Sequence, residues 1–577
     1  MSKTFTELRL TPEQTKDFKD DILTKKHPLG SKVFEFTNDR YDHDLYQMLF
    51  NLHPKHLYEE TGDRPSIILG RRGSGKSSYL NFLAHKDNVI PIPVKSWEII
   101  DLVSGQIKSV LENQKNIDSE KVAEIWQLIF LVLATKKLRE VLPEDFSNSK
   151  FLKELPIWDF LKGAGLNIIS GVLNMLKNKY LEFSSQNFDL SVLCQAIGIG
   201  EKTLDEWETI IHKIAQKNDK KIIILIDNPE KLQNGNKNAI VAAYEDITNS
   251  KWAAYSGLLR ILSNFNEGKS GIQARFCVPS EQFFFLQVRS DAILKDFSNI
   301  QILNWSSGDL LSMLAHRYMV FLQLHPEFRP KKRYELLLKE EIYDRKGALN
   351  FFKQLLVGKI KNDRGYVEEP IPYLLRHTQL LPRQLLFYFN KAISKSIKQG
   401  NKDLTILDAS FLFKSIQDCE SICASEIIHS YSAAYPEGLE MIDALDGFPL
   451  CSSLKNIRDG WSKFGAKKVL TNYTAFPGIT VEADRFIRFL TETGVIGRVE
   501  TQNRKDGNPG YINAEFEYTL PEKLSLNSSD VIAVHPIFIS KLGNTNFKDL
   551  DPNMGVYPKG SDIDFEYDAD FKERYIV

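Results

Sequence analysis

The sequence predicts an α/β protein: a parallel sheet carrying a glycine-rich loop, a helical insertion, a helical lid and a winged-helix-like domain near the C-terminal end. Three observations predict it. The apolar run Ser66-Ile67-Ile68-Leu69 leads into Gly70-Arg71-Arg72-Gly73-Ser74-Gly75-Lys76-Ser77. A second apolar run, Ile222 to Ile226, ends in Asp227. A helix, a strand, a long turn and a strand follow one another from Ala483 to Thr519. The organisation expected is an N-terminal extension (residues 1–60), a core (61–305) with a helical insertion at about 98–200, a lid (306–400) and a C-terminal domain with an acidic tail (401–577).

Composition sets the outer limits. At about 150 residues per domain, 577 residues make three or four domains. Hydrophobic residues at 42% and charged residues at 26% are ordinary for globular chains and exclude disorder, collagen and coiled-coil rods. Lys and Arg total 74 against 75 Asp and Glu, a net charge of −1, which excludes a generally basic nucleic-acid coat but not a local basic patch. Five cysteines do not make a secreted disulfide scaffold. The polar N-terminus leads into no apolar signal segment. The most apolar stretch, Gly163 to Leu176, is shorter than the ~20 residues of a spanning helix. A cytoplasmic protein with no membrane partner is expected.

The first strand, loop and helix carry the chemistry. The run from Gly70 to Ser77 fits G-x-x-x-x-G-K-[ST], a phosphate-cradling loop, and Ser78 continues it into a helix with Tyr79, Leu80, Phe82 and Leu83 on one face. Gly70, Gly73 and Gly75 allow a tight curl that points successive N–H groups into one anion-sized hollow. The helix N-terminus adds its partial positive charge. Lys76 can reach the β- and γ-phosphates, and the Ser77 hydroxyl can ligate Mg²⁺. The loop residues Arg71, Arg72 and Ser74 complete the expected nucleotide contact.

The second strand supplies an acid at its C-terminal edge, where open α/β sheets bind ligands. Asp227 is placed to hold Mg²⁺. Thr203 with Glu206 reads as a capping box for the preceding helix, whose Leu204, Trp207, Ile211 and Ile214 share a face. Val89 to Val94 reads as an edge strand because of Pro91 and Pro93. Trp252 to Phe265 is an amphipathic helix, and Gln273 to Glu281, ending in polar residues, and Ile300 to Leu303 read as further strands. The succession can insert a strand between those of Gly70 and Asp227, which puts Ser280 at the γ-phosphate end.

Gly70 to Ser77, Asp227 and Ser280 together resemble the Walker A, Walker B and sensor-1 elements of AAA+ and STAND-type ATPases, the group that includes the origin-recognition ATPases. Leu303-Asn304-Trp305, with a helix opened by Ser306, resembles the start of that group's lid. Thr378-Gln379-Leu380-Leu381-Pro382-Arg383 resembles its sensor-2 helix. The resemblance covers about residues 60 to 400. It implies ATP and Mg²⁺ as ligands, hydrolysis to ADP and phosphate, and Arg383 over the phosphates. Within it, the overall look is of bacterial ATPases of the origin-recognition or STAND kind, some of which belong to phage-defence loci. One departure stands out. The glutamate that many such ATPases carry after the metal-binding aspartate is Asn228 here, and an amide orients water but cannot take its proton. Glu230 is the nearest carboxylate and can take over as the base if the turn points it inward; slow or conditional hydrolysis, as suits a switch, is the other option.

The remaining segments are less specific. The insertion, with Trp126, Ile129, Phe130 and Val132, reads as an oligomer or partner surface, divided by a loop from Pro143 to Lys150. In the C-terminal domain, Phe486, Phe489 and Leu490 form the apolar face of a helix ended by Gly494. Arg485 and Arg488 share it with Glu482, Asp484 and Glu492, so the helix has no basic face and nucleic acid is not the favoured partner. A homo-oligomer or a partner protein is expected instead. Cys419 and Cys423, one turn apart, read as packing positions, and Arg329 to Arg333 as a solvated loop. A kinase or transferase is the remaining alternative.

Overall fold

Five short strands pair in parallel to form the central sheet of the computed structural model: β1 (Ile67–Gly70), β2 (Val89–Lys95), β3 (Lys221–Asp227), β4 (Ile272–Pro279) and β5 (Ile300–Ile302). The residues described are 4–30, 67–95, 103–104, 119–155, 201–227, 250–266, 272–281, 283, 300–361, 367–432, 434–445, 450–462, 481–503, 511–519, 524–542 and 555–559. The strand order is β2-β3-β4-β1-β5. β4 does lie between the Gly70 and Asp227 strands. Its register pairs Pro279 with Gly70 on one side and Cys277 with Asp227 on the other. That register gathers the C-terminal ends of β1, β3 and β4 at one edge. β2 closes the sheet, so its prolines fall on an edge strand as expected.

Both faces of the sheet are covered, which is why its strands read as continuous apolar runs. Ile222, Ile224 and Ile226 pack on one side, against α3 (Ser119–Val141), α4 (Glu201–Lys217) and α5 (Ser250–Asn266). Ile223 and Leu225 pack on the other, against α2 (Lys76–Ala84). A helix that precedes α2, α1 (Pro12–Asp17), belongs to the N-terminal segment.

Several expectations are corrected here. The Thr203–Glu206 capping box does not form, because the helix already runs from Glu201 and Thr203 lies inside it. The loop expected from Pro143 is helical over Pro143–Asn148, with Pro143 at the first turn, where a missing N–H costs nothing. Lys331, Lys332 and Arg333 are not in a loop. They open the helix Lys331–Leu337, which buries Tyr334 and Leu337. The four apolar residues of α3 named from sequence face the core rather than a partner. Trp126, Ile129, Phe130 and Val132 are buried, and the Trp126 indole N–H donates to the Ala254 carbonyl at 2.8 Å.

The lid consists of α6 (Ser307–Leu324), α7 (Arg345–Leu355), α8 (Pro370–Arg376) and α9 (Pro382–Lys398). Ser306 caps α6, its hydroxyl accepting the Asp309 N–H at 3.0 Å. The N-terminal segment is strapped along this lid. Leu29 N–H donates to Asn390 Oδ1 at 2.7 Å, Asn390 Nδ2 donates to the Gly30 carbonyl at 2.8 Å, and Gln323 exchanges two bonds with the Leu8 backbone.

Beyond the lid, α10 (Ala409–Ser430) lies against α9 and buries both Cys419 and Cys423. The C-terminal sheet comprises β6 (Cys451–Ser453), β7 (Ile496–Asn503), β8 (Tyr511–Glu515), β9 (Val531–Val534) and β10 (Gly555–Pro558), in the order β6-β9-β7-β8-β10. β7 and β8 form the expected antiparallel hairpin after α11 (Ala483–Glu492), and Gly494 ends that helix at φ +67°. The sheet is wider than the two strands read from sequence, and β8 stops at Glu515, followed by a 3₁₀ turn at Glu517–Thr519. A buried triad ties β10 to the lid: Arg376 grips Glu368 through two bonds, and Tyr557 donates to the same carboxylate at 2.6 Å. Lid and C-terminal helices share one apolar core. No described helix is long and apolar enough to cross a membrane, and the Gly163 to Leu176 stretch lies outside the described residues.

The core makes a direct prediction. Trp126→Ala removes a large buried ring and leaves the Ala254 carbonyl without its donor. Stability should fall by about 3–5 kcal/mol, read as an earlier denaturant transition by circular dichroism.

Candidate functional site

The Gly70–Ser77 loop turns where only glycine turns freely. Gly73 and Gly75 hold φ of +87° and +95°. Gly75 is the residue from which α2 starts, so Lys76 and Ser77 occupy its first turn. The Lys76 ammonium is buried and folded over the loop, donating to the carbonyls of Gly70 at 2.9 Å and Arg71 at 3.1 Å. Trp305, read from sequence only as the approach to the lid, clamps the loop from outside: its indole N–H donates to the Ser74 carbonyl at 2.6 Å. Ser78 is half-buried in the same turn of α2.

Across the sheet edge, the Ser77 hydroxyl donates to Asp227 Oδ2 at 2.6 Å. The sequence therefore meets itself across 150 positions at the two oxygens expected to hold a metal. Burial pushes the Asp227 carboxyl above the usual range, opposed by the Ser77 bond and the Lys76 charge. The neighbouring Cys277 thiol is raised by its burial and by Asp227. A hydroxyl and a carboxylate are hard oxygen donors, the set Mg²⁺ prefers. The residues present therefore fit the ion.

The lid reaches the loop through Arg383. Its N–H donates to the Gly73 carbonyl at 3.4 Å, and a side-chain carbon added at Gly73 would lie 3.1 Å from the Arg383 Cβ. The Pro-Arg element thus sits on the loop at the start of α9. Leu380 just before it holds φ +52°, a conformation that costs a branched residue energy and fixes the entry into α9.

Three further residues were not singled out for the site from sequence. Glu281, immediately after Ser280, is buried, and its Oε1 accepts the Arg72 N–H at 2.8 Å. Gln379 accepts a bond from the Arg71 guanidinium through Oε1. Its amide nitrogen donates to the Thr493 carbonyl at 3.0 Å and the Gly494 carbonyl at 3.3 Å. Tyr518 lies under the Arg71 guanidinium, 5.1 Å from ring centre to cation. Glu281 and Gln379 adjoin motifs that the sequence flagged. Tyr518 carries no local signal, since it sits 447 positions from Arg71 (518 − 71).

Arg71, Arg72, Glu281 and Arg383 line one cleft beside the loop, walled on the far side by Glu426 and Ser430 of α10. Ser280 is half-buried at the end of β4, three residues beyond the partner of Asp227. Asn228 and Glu230 lie outside the described residues.

No protein-family model and no curated protein matches the chain. Among solved structures, it is similar to the ORC2 protein of Aeropyrum pernix, whose structure is of ADPNP–ADP complexes. That match has 11% identity and a TM-score of 0.34, and covers 88% of this chain and 94% of that one. It is also similar to CDC6P from Pyrobaculum aerophilum, at 9% identity and a TM-score of 0.23, covering 87% and 93%. Strand order, register and the loop geometry, rather than these scores, define the fold.

Two substitutions test the site. Lys76→Ala should weaken Mg²⁺–ATP binding by about 100-fold in a folded protein, since it removes the cation over the loop; calorimetry reads this directly. Asp227→Asn keeps an acceptor for Ser77 but removes a buried charge. The ligand-free protein should then melt at a higher temperature while the Mg²⁺ dependence of nucleotide binding disappears.

Proposed function

We propose that the chain is an ATP-binding switch whose nucleotide state sets the position of its C-terminal winged-helix domain, and through it assembly or partner binding. The observation that carries this reading is the double engagement of Arg71. One loop side chain is bonded to Gln379 of the lid and lies over Tyr518 of the C-terminal domain. Gln379 in turn holds the carbonyls that end α11. A triphosphate arriving at the loop brings several negative charges next to Arg71 and Arg383, and those guanidinium groups can follow them only by altering their contacts with lid and C-terminal domain.

In this reading the loop N–H groups and Lys76 hold the β- and γ-phosphates, Ser77 and Asp227 hold Mg²⁺, and Arg383 detects the γ-phosphate. Bound Mg²⁺ would neutralise the phosphate charge. Slow or conditional hydrolysis to ADP and phosphate resets the switch, and the amide of Asn228 cannot itself supply the base. A cytoplasmic setting, expected from the cysteine count and apolar pattern of the sequence, and a role in defence against phage, which rests on the sequence resemblance alone, are part of the reading. Arg485 and Arg498 are paired with Glu437 and Glu515, which supports a protein partner over DNA.

The experiment is light scattering or small-angle scattering with ADP, ATP and a non-hydrolysable analogue. Wild type should change shape or oligomer size with ATP only. Arg383→Ala should keep ADP binding and lose that difference, and Tyr518→Ala should keep ATP binding but respond less, by a coupling of about 1–3 kcal/mol. An Arg383→Ala protein that responds as wild type does rules out Arg383 as the sensor. Gel shifts over a salt series test the DNA alternative, which requires a steep loss of binding with salt.

A further inference from the structure

ATP hydrolysis needs a carboxylate that can take a proton from water, and the residues at the sheet edge narrow the choice. Asp227 has Oδ2 committed to the Ser77 hydroxyl and is needed for the metal. Asn228 is an amide. Glu281 differs from both. It follows β4, the strand between those of the loop and Asp227, and the pairing of Pro279 with Gly70 sets it alongside Arg72. It is only 8% exposed. Its Oε1 is fixed by the Arg72 N–H, and among the described residues its buried Oε2 has no hydrogen-bond partner. Glu281 also lines the cleft it shares with Arg71 and Arg383. Burying a carboxylate with one oxygen unsatisfied costs stability, and such a group persists where function requires it.

We propose that Glu281 is the general base of this site, in the role that Asn228 cannot fill. The proposal rests on the ATPase reading above. A water held by Oε2 attacks the γ-phosphorus, forming a P–O bond. The bond from that phosphorus to the β–γ bridging oxygen breaks, its electron pair leaving on ADP. The water proton passes to Glu281 Oε2 and from there to the released phosphate. The Arg72 N–H keeps the carboxylate facing the loop, so the base is aligned by the same backbone that cradles the phosphates.

The test is Glu281→Gln, which retains an oxygen for the Arg72 N–H and removes only the proton-accepting ability. Turnover should fall by at least about 100-fold, while ATP affinity by calorimetry stays within about threefold. The nucleotide recovered from the variant after incubation with Mg²⁺–ATP should be ATP, where wild type yields ADP. Glu230→Gln is the parallel arm, because Glu230 is the carboxylate nearest Asn228 in sequence. Wild-type turnover in Glu281→Gln, loss confined to Glu230→Gln, or loss of ATP affinity in Glu281→Gln each overturns the proposal. A wild-type chain that does not bind ATP fails earlier, and overturns the nucleotide reading itself.

Discussion

A half-buried concentration of positive charge around one glycine loop is the constraint that organises this molecule. Lys76, Arg71 and Arg72 come from the loop, and Arg383 is brought in by the lid. Such charges are costly away from water unless something answers them. The protein answers with backbone carbonyls and the nearby Asp227 for Lys76, and with a neutral amide and an aromatic ring for Arg71. None of these is a bidentate carboxylate pair for an arginine. The contrast with Arg376 is instructive, since that buried guanidinium is gripped at two points by Glu368. Arg376 is built to stay put, and Arg71, held by a neutral amide and a ring, is left able to meet a stronger anion.

The same arrangement makes the loop a mechanical junction. Trp305 binds Ser74 from the sheet side, Arg383 rests on Gly73 from the lid, and Arg71 reaches the C-terminal domain. Lid and C-terminal helices are one packed body, with the N-terminal segment strapped along it. A displacement at the start of α9 therefore cannot be absorbed locally, because packed interiors respond as units. In the proposed switch, that rigidity is what would carry the arrival of one phosphate group to a distance.

The sequence by itself determined the loop, the metal-side aspartate, the inserted strand, the lid helix and the Pro-Arg element, because each is written in local pattern. Glycines at fixed spacing, an apolar run ending in an acid, and helical periodicity after Ser306 need no distant partner to be read. Its errors were also local: Thr203 and Pro143 carry start and turn chemistry that helix packing overrode or reused. Tertiary structure alone decided what the motifs are joined to. The Ser77–Asp227 bond, the Arg71–Gln379–Gly494 bridge and the Arg72–Glu281 contact span from 115 to 308 positions of sequence. Such pairings depend on strand register and on helices packed edge to edge, and no periodicity along the chain encodes which side chain waits on the other side.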